Sequence, residues 1–278
     1  RLSNTLSQFQ PPHGAGLPFE EQFVKIYIMS SGRSSRQTTW NNLPNQIRKD
    51  TMLVVPVDEV PDYAAFPVLR RPEIVRDVTH ARQILVSSET GKICMLDDDL
   101  TFATRSVENP TKFVAVTEEQ VVGMFRDIEK KLDTYAHVGV SAREGANYQT
   151  SQYLRTTRMM RILAYDTQIL NTHGIRYDRL KFMADFDVTL QLLRKGLTNC
   201  IVNYMVQNQT GSNASGGCSQ YRTREAQEQD AHLLQELHPD FVKLSTKKTK
   251  QKGMWSERLD VTIQWKKAYR SSGACDAH

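Results

Sequence analysis

Two rhythms of hydrophobic and polar positions alternate along this chain. Short β-rich apolar runs recur at residues 24–29, 52–57, 93–96, 138–140, 159–165, 200–206, 241–244 and 261–265. Each has the length and composition of a strand, and residues 169–171 read as a further stretch of such pairing. Helical spacing fills the intervals. Over residues 77–88, Val78, Ala81, Ile84 and Leu85 share one face. The clearest helix follows Pro110, where Thr117 and Gln120 form a capping box and Val121, Phe125, Ile128, Leu132 and Tyr135 step by fours and threes. Another opens at Asp185 or Asp187 as N-cap, turns Val188, Leu192 and Leu193 inward and stops at Gly196. A last long helix runs from a Thr223 cap to Leu237, just before His238 and Pro239. Strands alternating with helices predict an α/β fold, with a mixed, mostly parallel sheet flanked by helices.

Between these elements lie irregular stretches. Residues 1–20 read as a loosely held polar arm, with Pro11-Pro12 and Gly14-Ala15-Gly16. From residue 21 to 278 no linker is long enough to force a division, so a single domain with a basic C-terminal portion is expected. Residues 59–72 are Pro-rich, and residues 208–218 are a Gly/Ser/Asn loop. At 278 residues, 39% hydrophobic and 24% charged, the chain has the composition of a globular protein with a sizeable core. No apolar run approaches the roughly 20 residues of a bilayer span, so no membrane association is expected. Cys94, Cys200, Cys218 and Cys275 lack CxxC spacing, which argues against a zinc centre or disulfide framework and for reduced thiols.

The candidate chemistry starts at Asp97-Asp98-Asp99, where an apolar strand ends in three adjacent carboxylates. Such a cluster costs desolvation and repulsion unless a cation sits among its members. Oxygen donors suit Mg2+ or Mn2+, and such an ion can bridge to a diphosphate leaving group. A solvated acidic turn is the plain alternative. Alternation at the strand end turns Asp98 away from Asp97 and Asp99. After the first strand, Ser31, Gly32 and Arg33 lie in a Gly/Ser turn able to cradle phosphates. Arg82, on the helix before the acidic strand, and Arg143, in a loop after a later strand, are further phosphate candidates. Asp185 and Asp187 are either helix caps or a general base. His238 either ends its helix, where a cation offsets the dipole, or adds a metal ligand. The formal charge is +5, and residues 247–252 with Lys243, Lys266, Lys267 and Arg270 form a basic C-terminal cluster suited to phosphates. Trp255 and Tyr269 lie near it in sequence as candidates for stacking on a base.

Taken in order, an arginine-bearing turn, an acidic strand end, a later acidic pair and a C-terminal histidine resemble the nucleotide-sugar glycosyltransferases of the GT-A fold. Residues 95–102, 185–196, 216–222, 237–242 and 265–269 sharpen the likeness: together they resemble the TET-associated glycosyltransferases, over about residues 25–269. That resemblance implies a GT-A-like, Rossmann-like sheet and a DxD motif. It implies a UDP-sugar donor held through Ser31, Gly32, Arg33, Arg82, Asp97, Asp98 and Arg143, and Mn2+ or Mg2+ on Asp97, Asp99 and His238. The base would be Asp185 or Asp187; many GT-A enzymes carry Glu-Asp where this chain has Ala184-Asp185. The implied acceptor is the hydroxymethyl group of 5-hydroxymethylcytosine or 5-hydroxymethyluracil in DNA, in the cytoplasm of a phage-infected bacterium. A GT-A enzyme with a non-DNA acceptor, or a nucleotidyltransferase, would use the same strand-end carboxylates.

Overall fold

In a computed structural model of the chain, the described residues are 24–71, 77–209, 222–248 and 257–274. The polar-arm expectation for residues 1–20, Trp255 and most of the stretch 208–218 fall outside them.

Residues 25–97 build one flank of the sheet, and the strands just after them its opposite edge. β1 (Lys25–Met29) is followed by two short helices, α1 (Thr38–Asn42) and α2 (Asn45–Arg48), then β2 (Thr51–Val55), a 3-10 helix at Val57–Tyr63 and β3 (Val68–Arg70). α3 (Val78–Ser88) leads to β4 (Lys92–Asp97), and β5 (Leu100–Arg105) and β6 (Phe113–Ala115) follow at once. The capping box expected at Thr117 is present and opens α4 (Glu118–Lys131). Next come β7 (His137–Ala142), the single turn α5 (Arg143–Ala146), β8 (Tyr153–Arg155), β9 (Ile162–Asp166) and α6 (Thr167–Thr172). The chain then forms α7 (Ala184–Leu193), β10 (Asn199–Gln209), α8 (Arg224–Leu237), the hairpin strands β11 (Val242–Lys248) and β12 (Glu257–Ile263), and α9 (Trp265–Arg270).

Ten strands form one sheet in the order β3-β2-β1-β4-β9-β7-β10-β5-β6, with β8 also on β10. Strands β1, β2, β3, β4, β6, β7 and β10 point one way, and β5, β8 and β9 oppose them. The expected mixed, mostly parallel sheet is therefore observed. β11 and β12 pair separately as an antiparallel hairpin.

Strand alternation explains why helices cover both faces. Ile26, Ile28, Cys94 and Leu96 pack with Val121, Phe125 and Ile128 of α4 and Leu43 and Ile47 near α1 and α2. Their neighbours Tyr27, Met29, Ile93 and Met95 pack on the other face with Ala81 and Leu85 of α3, Leu170 of α6 and Val188 and Leu192 of α7. α7 is covered on a second side too, where Leu190 and Leu193 meet Ala231 and Leu234 of α8, Val242 of β11 and Ala268 of α9. It is the joint between the sheet and the C-terminal layer.

Several expectations are corrected. Residues 169–171 belong to helix α6 rather than to a pairing strand, and Trp265 begins α9 rather than ending a strand. Asp185 and Asp187 do not cap α7: its N-cap is Met183, with no side-chain bond, and both acids lie inside the first turn. The Lys-rich segment at 247–252 is not all loop, since β11 runs to Lys248.

Candidate active site

The strand order reverses between β1 and β4, where β2 leaves to one side and β9 to the other. In an open α/β sheet the crevice beyond the carboxyl ends of two such strands is a ligand-binding position. Met29 and Asp97 are paired across it, so the Ser30–Arg33 turn and the three Asp residues are neighbours although far apart in sequence.

Each acid of the triplet has its own partners. Asp98 is buried and accepts hydrogen bonds from Ser30 Oγ and Arg33 Nη1, each at 2.6 Å. The same guanidinium nitrogen reaches Asp99 at 3.0 Å. Asp97 accepts from Arg82 Nη2 at 2.8 Å. Asp98 does differ from the other two, but by turning inward onto Ser30. Thr39 of α1 pins the turn: its N–H donates to the Asp98 carbonyl at 3.0 Å, its hydroxyl donates to the Asp97 carbonyl at 2.5 Å and accepts from Leu100 N–H at 2.8 Å. On the far side, Asp97 N–H donates to the Arg161 carbonyl at 3.0 Å.

The electrostatics show a crowded anionic site. Burial, and then the neighbouring charge of Asp97, push Asp99 up to about 6. Asp98 is also raised, chiefly by burial, with Ser30 and Arg33 pulling the other way. Burial disfavours the Arg33 charge, but Asp98 and Asp99 outweigh it and hold the guanidinium above its usual value. Neighbouring carboxylate oxygens of Asp97 and Asp99, both partly buried, are donors of the kind a hard divalent cation takes.

Ser31 and Gly32 differ from expectation. Ser31 Oγ and Gly32 N–H both donate to Glu59, each at 2.6 Å. A phosphate placed there would meet a carboxylate, so the two donors are committed to a protein anion. Gly32 has φ of +65°, the backbone conformation this tight turn needs. Arg143 is exposed, with its guanidinium 5.9 Å from the Phe113 ring centroid on the β6 side of the sheet, and no contact joins it to the triple Asp.

Arg82 lies 6.0 Å from the Tyr177 ring centroid, and Tyr177 and Tyr165 share a hydroxyl hydrogen bond of 3.0 Å. Burial first, and then the charges of Asp185 and Asp97, push Tyr177 up to about 12, against the opposing pull of Arg82 and the Tyr165 hydroxyl. The charge of Asp185 acts on both Tyr165 and Tyr177, the ring beside Arg82. The Asp185 carboxylate is held by Arg158, with Nη2 at 3.1 Å and Nε at 3.3 Å.

Asp187 points elsewhere. Its side chain is wholly buried and receives Arg179 through both of its oxygens, Gln191 Nε2 at 2.9 Å and His238 Nε2 at 2.7 Å. Burial pushes its carboxyl up, but the bonds from His238 and Arg179 prevail and hold it below the usual range. His238, itself wholly buried, meets Arg194 Nη1 at 3.1 Å through Nδ1. A guanidinium only donates, so Nδ1 accepts from Arg194; Nε2 faces Asp187 Oδ1 at 2.7 Å and Arg179 Nη2 at 3.3 Å, and the shorter contact makes Nε2–H the donor to Asp187. Both ring nitrogens are therefore committed, which takes His238 out of the metal set expected for it. Among the described residues no group of three His, Cys, Asp or Glu side chains is placed to hold a metal; the fit rests on Asp97 and Asp99. Tyr269 is buried at 7% exposure and unavailable for stacking.

Sequence reasoning missed Thr39, Glu59, Arg158, Arg161 and Tyr177. Arg161 and Thr156 adopt φ of +65° and +52°, which no residue type announces in advance.

The crevice at the switch point, the acids at its strand end and the guanidiniums around them make up the candidate site. The family model described as TET-Associated Glycosyltransferase matches residues 24–217, and the chain belongs to that family. His238 and the C-terminal hairpin lie beyond the matched residues. No curated protein matches the sequence. Among solved structures, the chain is similar to that of GalNAc-T7 with UDP, GalNAc and Mn2+, at 11% identity and a TM-score of 0.44, over 76% of this chain and 48% of that one. The chain thus spans about half the length of that protein. Among the described residues no helix is long and apolar enough to cross a membrane.

Proposed function

We propose that this glycosyltransferase moves a sugar from a nucleoside-diphosphate sugar, UDP-sugar by preference, to the hydroxymethyl group of 5-hydroxymethylcytosine or 5-hydroxymethyluracil in DNA. The family description, TET-Associated Glycosyltransferase, supports this acceptor; the observation that carries the chemistry is the crevice gathering Asp97, Asp99, Arg33 and Arg82.

Asp97 and Asp99 would hold Mn2+ or Mg2+ together with the donor diphosphate, an arrangement in which one or two carboxylates suffice. When bound, the ion supplies Lewis-acid stabilisation of the departing diphosphate. Arg33 and Arg82, paired to the triple Asp, can turn their forked donors to phosphate oxygens as negative charge grows there. Asp98 holds Ser30 and Arg33 in place from beneath. Asp185 accepts the proton of the acceptor hydroxyl, and Arg158 keeps its carboxylate oriented. Asp187 has no free oxygen facing this region and acts as a lock. Arg143 remains a candidate only for more distant parts of the donor or acceptor.

The test is mass spectrometry of nucleosides from hydroxymethylated DNA incubated with the protein, Mn2+ and a panel of nucleotide sugars. A hexose-sized increment on the hydroxymethylated nucleoside is expected. Metal-dependent donor hydrolysis that is equal with hydroxymethylated and unmodified DNA, and no increment on either, would remove DNA as the acceptor.

A further inference from the structure

One group beside Asp185 has no part in donor chemistry. Arg158 binds Asp185 and also sets its guanidinium 4.0 Å from the ring centroid of Phe186, the next residue of α7. Phe186 in turn stacks on Trp265 at the start of α9, with centroids 5.9 Å apart and planes 15° from parallel. Arg158 is 40% exposed along its side chain, and Phe186 and Trp265 both stay partly exposed. A rim of the C-terminal core would account for the two aromatic rings, but not for a guanidinium laid over one of them and tied to the base candidate.

Arg158 belongs to the segment 156–161, bracketed by the left-handed Thr156 and Arg161. Strained non-glycine residues persist where surrounding structure imposes them, and they concentrate at functional sites. This segment touches both halves of the site: Arg158 reaches Asp185, and the Arg161 carbonyl takes the Asp97 N–H. It runs from the metal side to the base side of the crevice. On the C-terminal layer, Lys266 follows Trp265 and is exposed, Arg270 is exposed at the end of α9, and Lys243 is exposed on β11. A planar stack bordering a carboxylate, on a C-terminal layer that carries exposed cations, matches what an unpaired nucleotide requires: a surface for the base, cations for the phosphates and a proton acceptor at the reacting hydroxyl.

We infer that Arg158, Phe186 and Trp265 form the platform that receives the extruded pyrimidine ring of the acceptor and presents its hydroxymethyl group to Asp185. The platform rests on the DNA-acceptor reading above. It gives the C-terminal layer a place in substrate recognition, because α9 supplies Trp265 while the sheet side supplies Arg158. Stacking tolerates either pyrimidine, so the platform selects a flat base rather than reading its edge.

The experiment uses the full chain and a single-stranded oligonucleotide carrying one 5-hydroxymethylcytosine. Trp265→Leu leaves Asp185 and its partner intact, and Arg158→Lys keeps a cation beside Asp185 but lacks the planar fork. Each variant is expected to raise the KM for the oligonucleotide about tenfold, with a melting temperature and a UDP affinity near those of wild type. Unchanged KM for the oligonucleotide in both variants, or a fall in kcat alone in Trp265→Leu, overturns the platform while leaving the DNA acceptor standing. Absence of transfer by the wild-type protein overturns both.

Discussion

Asp187→Asn separates a lock from a catalytic base. Asp187 is wholly buried, bonds Gln191 within α7, and joins α7 to Arg179 and, through His238, to the end of α8. Substituting Asn preserves volume and removes the charge that Arg179 and His238 address. Breaking a buried charged pair by removing one partner costs roughly 3–5 kcal/mol; the amide retains one acceptor oxygen, so a loss of about 2–3 kcal/mol is expected for Asn and the full range for Ala. At about 2–4 °C per kcal/mol for large domains, Asp187→Asn should melt roughly 4–12 °C below wild type. The folded carboxyl lies below its ordinary 3.8, so its contribution is complete above that value and is lost as the pH falls through the depressed one. Wild type should therefore lose stability more steeply in acid than the Asn variant. The assays are thermal melts by circular dichroism across pH, and kcat measured at a temperature where both proteins are folded. A variant that melts with wild type yet has lost transfer would make Asp187 the base and refute the lock.

Two further perturbations follow from the geometry. Asp99→Asn should abolish metal-dependent transfer, yet raise the stability of the metal-free protein near pH 7 by about 1–3 kcal/mol, because the partly buried acid is pushed up to about 6 and its ionised form is disfavoured in the fold. Mn2+ should raise the melting temperature of wild type and not of the variant; an equal rise in both would place the ion elsewhere. Gly139 lies on β7 between β9 and β10, and a Cβ there would stand 3.0 Å from Met159 Cγ, 3.2 Å from Ile201 Cδ1 and 3.3 Å from the Ile162 carbonyl oxygen. Gly139→Ala should cost roughly 1–3 kcal/mol, read as a lower urea midpoint at unchanged slope; an unchanged midpoint would show that Met159 and the strand yield freely.

The strands legible in advance were those with a sustained apolar run, such as β1, β4 and β10. β3, β6 and β8 span three residues each, too few for alternation to register, and partly exposed β5 gave only a weak pattern. Helix α6 was hidden because its six residues hold no full helical repeat. The site was half legible. The acids at the end of β4 and the arginines before them stood out by type and position, but Glu59 holding Ser31 and Gly32, and Thr39 holding the acidic turn, depend on contacts across 27 to 61 residues.

By itself the sequence determined the alternation that covers both sheet faces, the caps at Thr117 and Thr223, the stop at Gly196 and the acidic strand end, because each depends on spacing within a few residues. Tertiary structure decided what those residues do. Whether Asp185 or Asp187 faces the crevice depends on which side of α7 meets the sheet, and α7 is covered on two sides. Whether His238 is a ligand or a strut depends on Arg194 and Asp187, brought to its two nitrogens by folding alone.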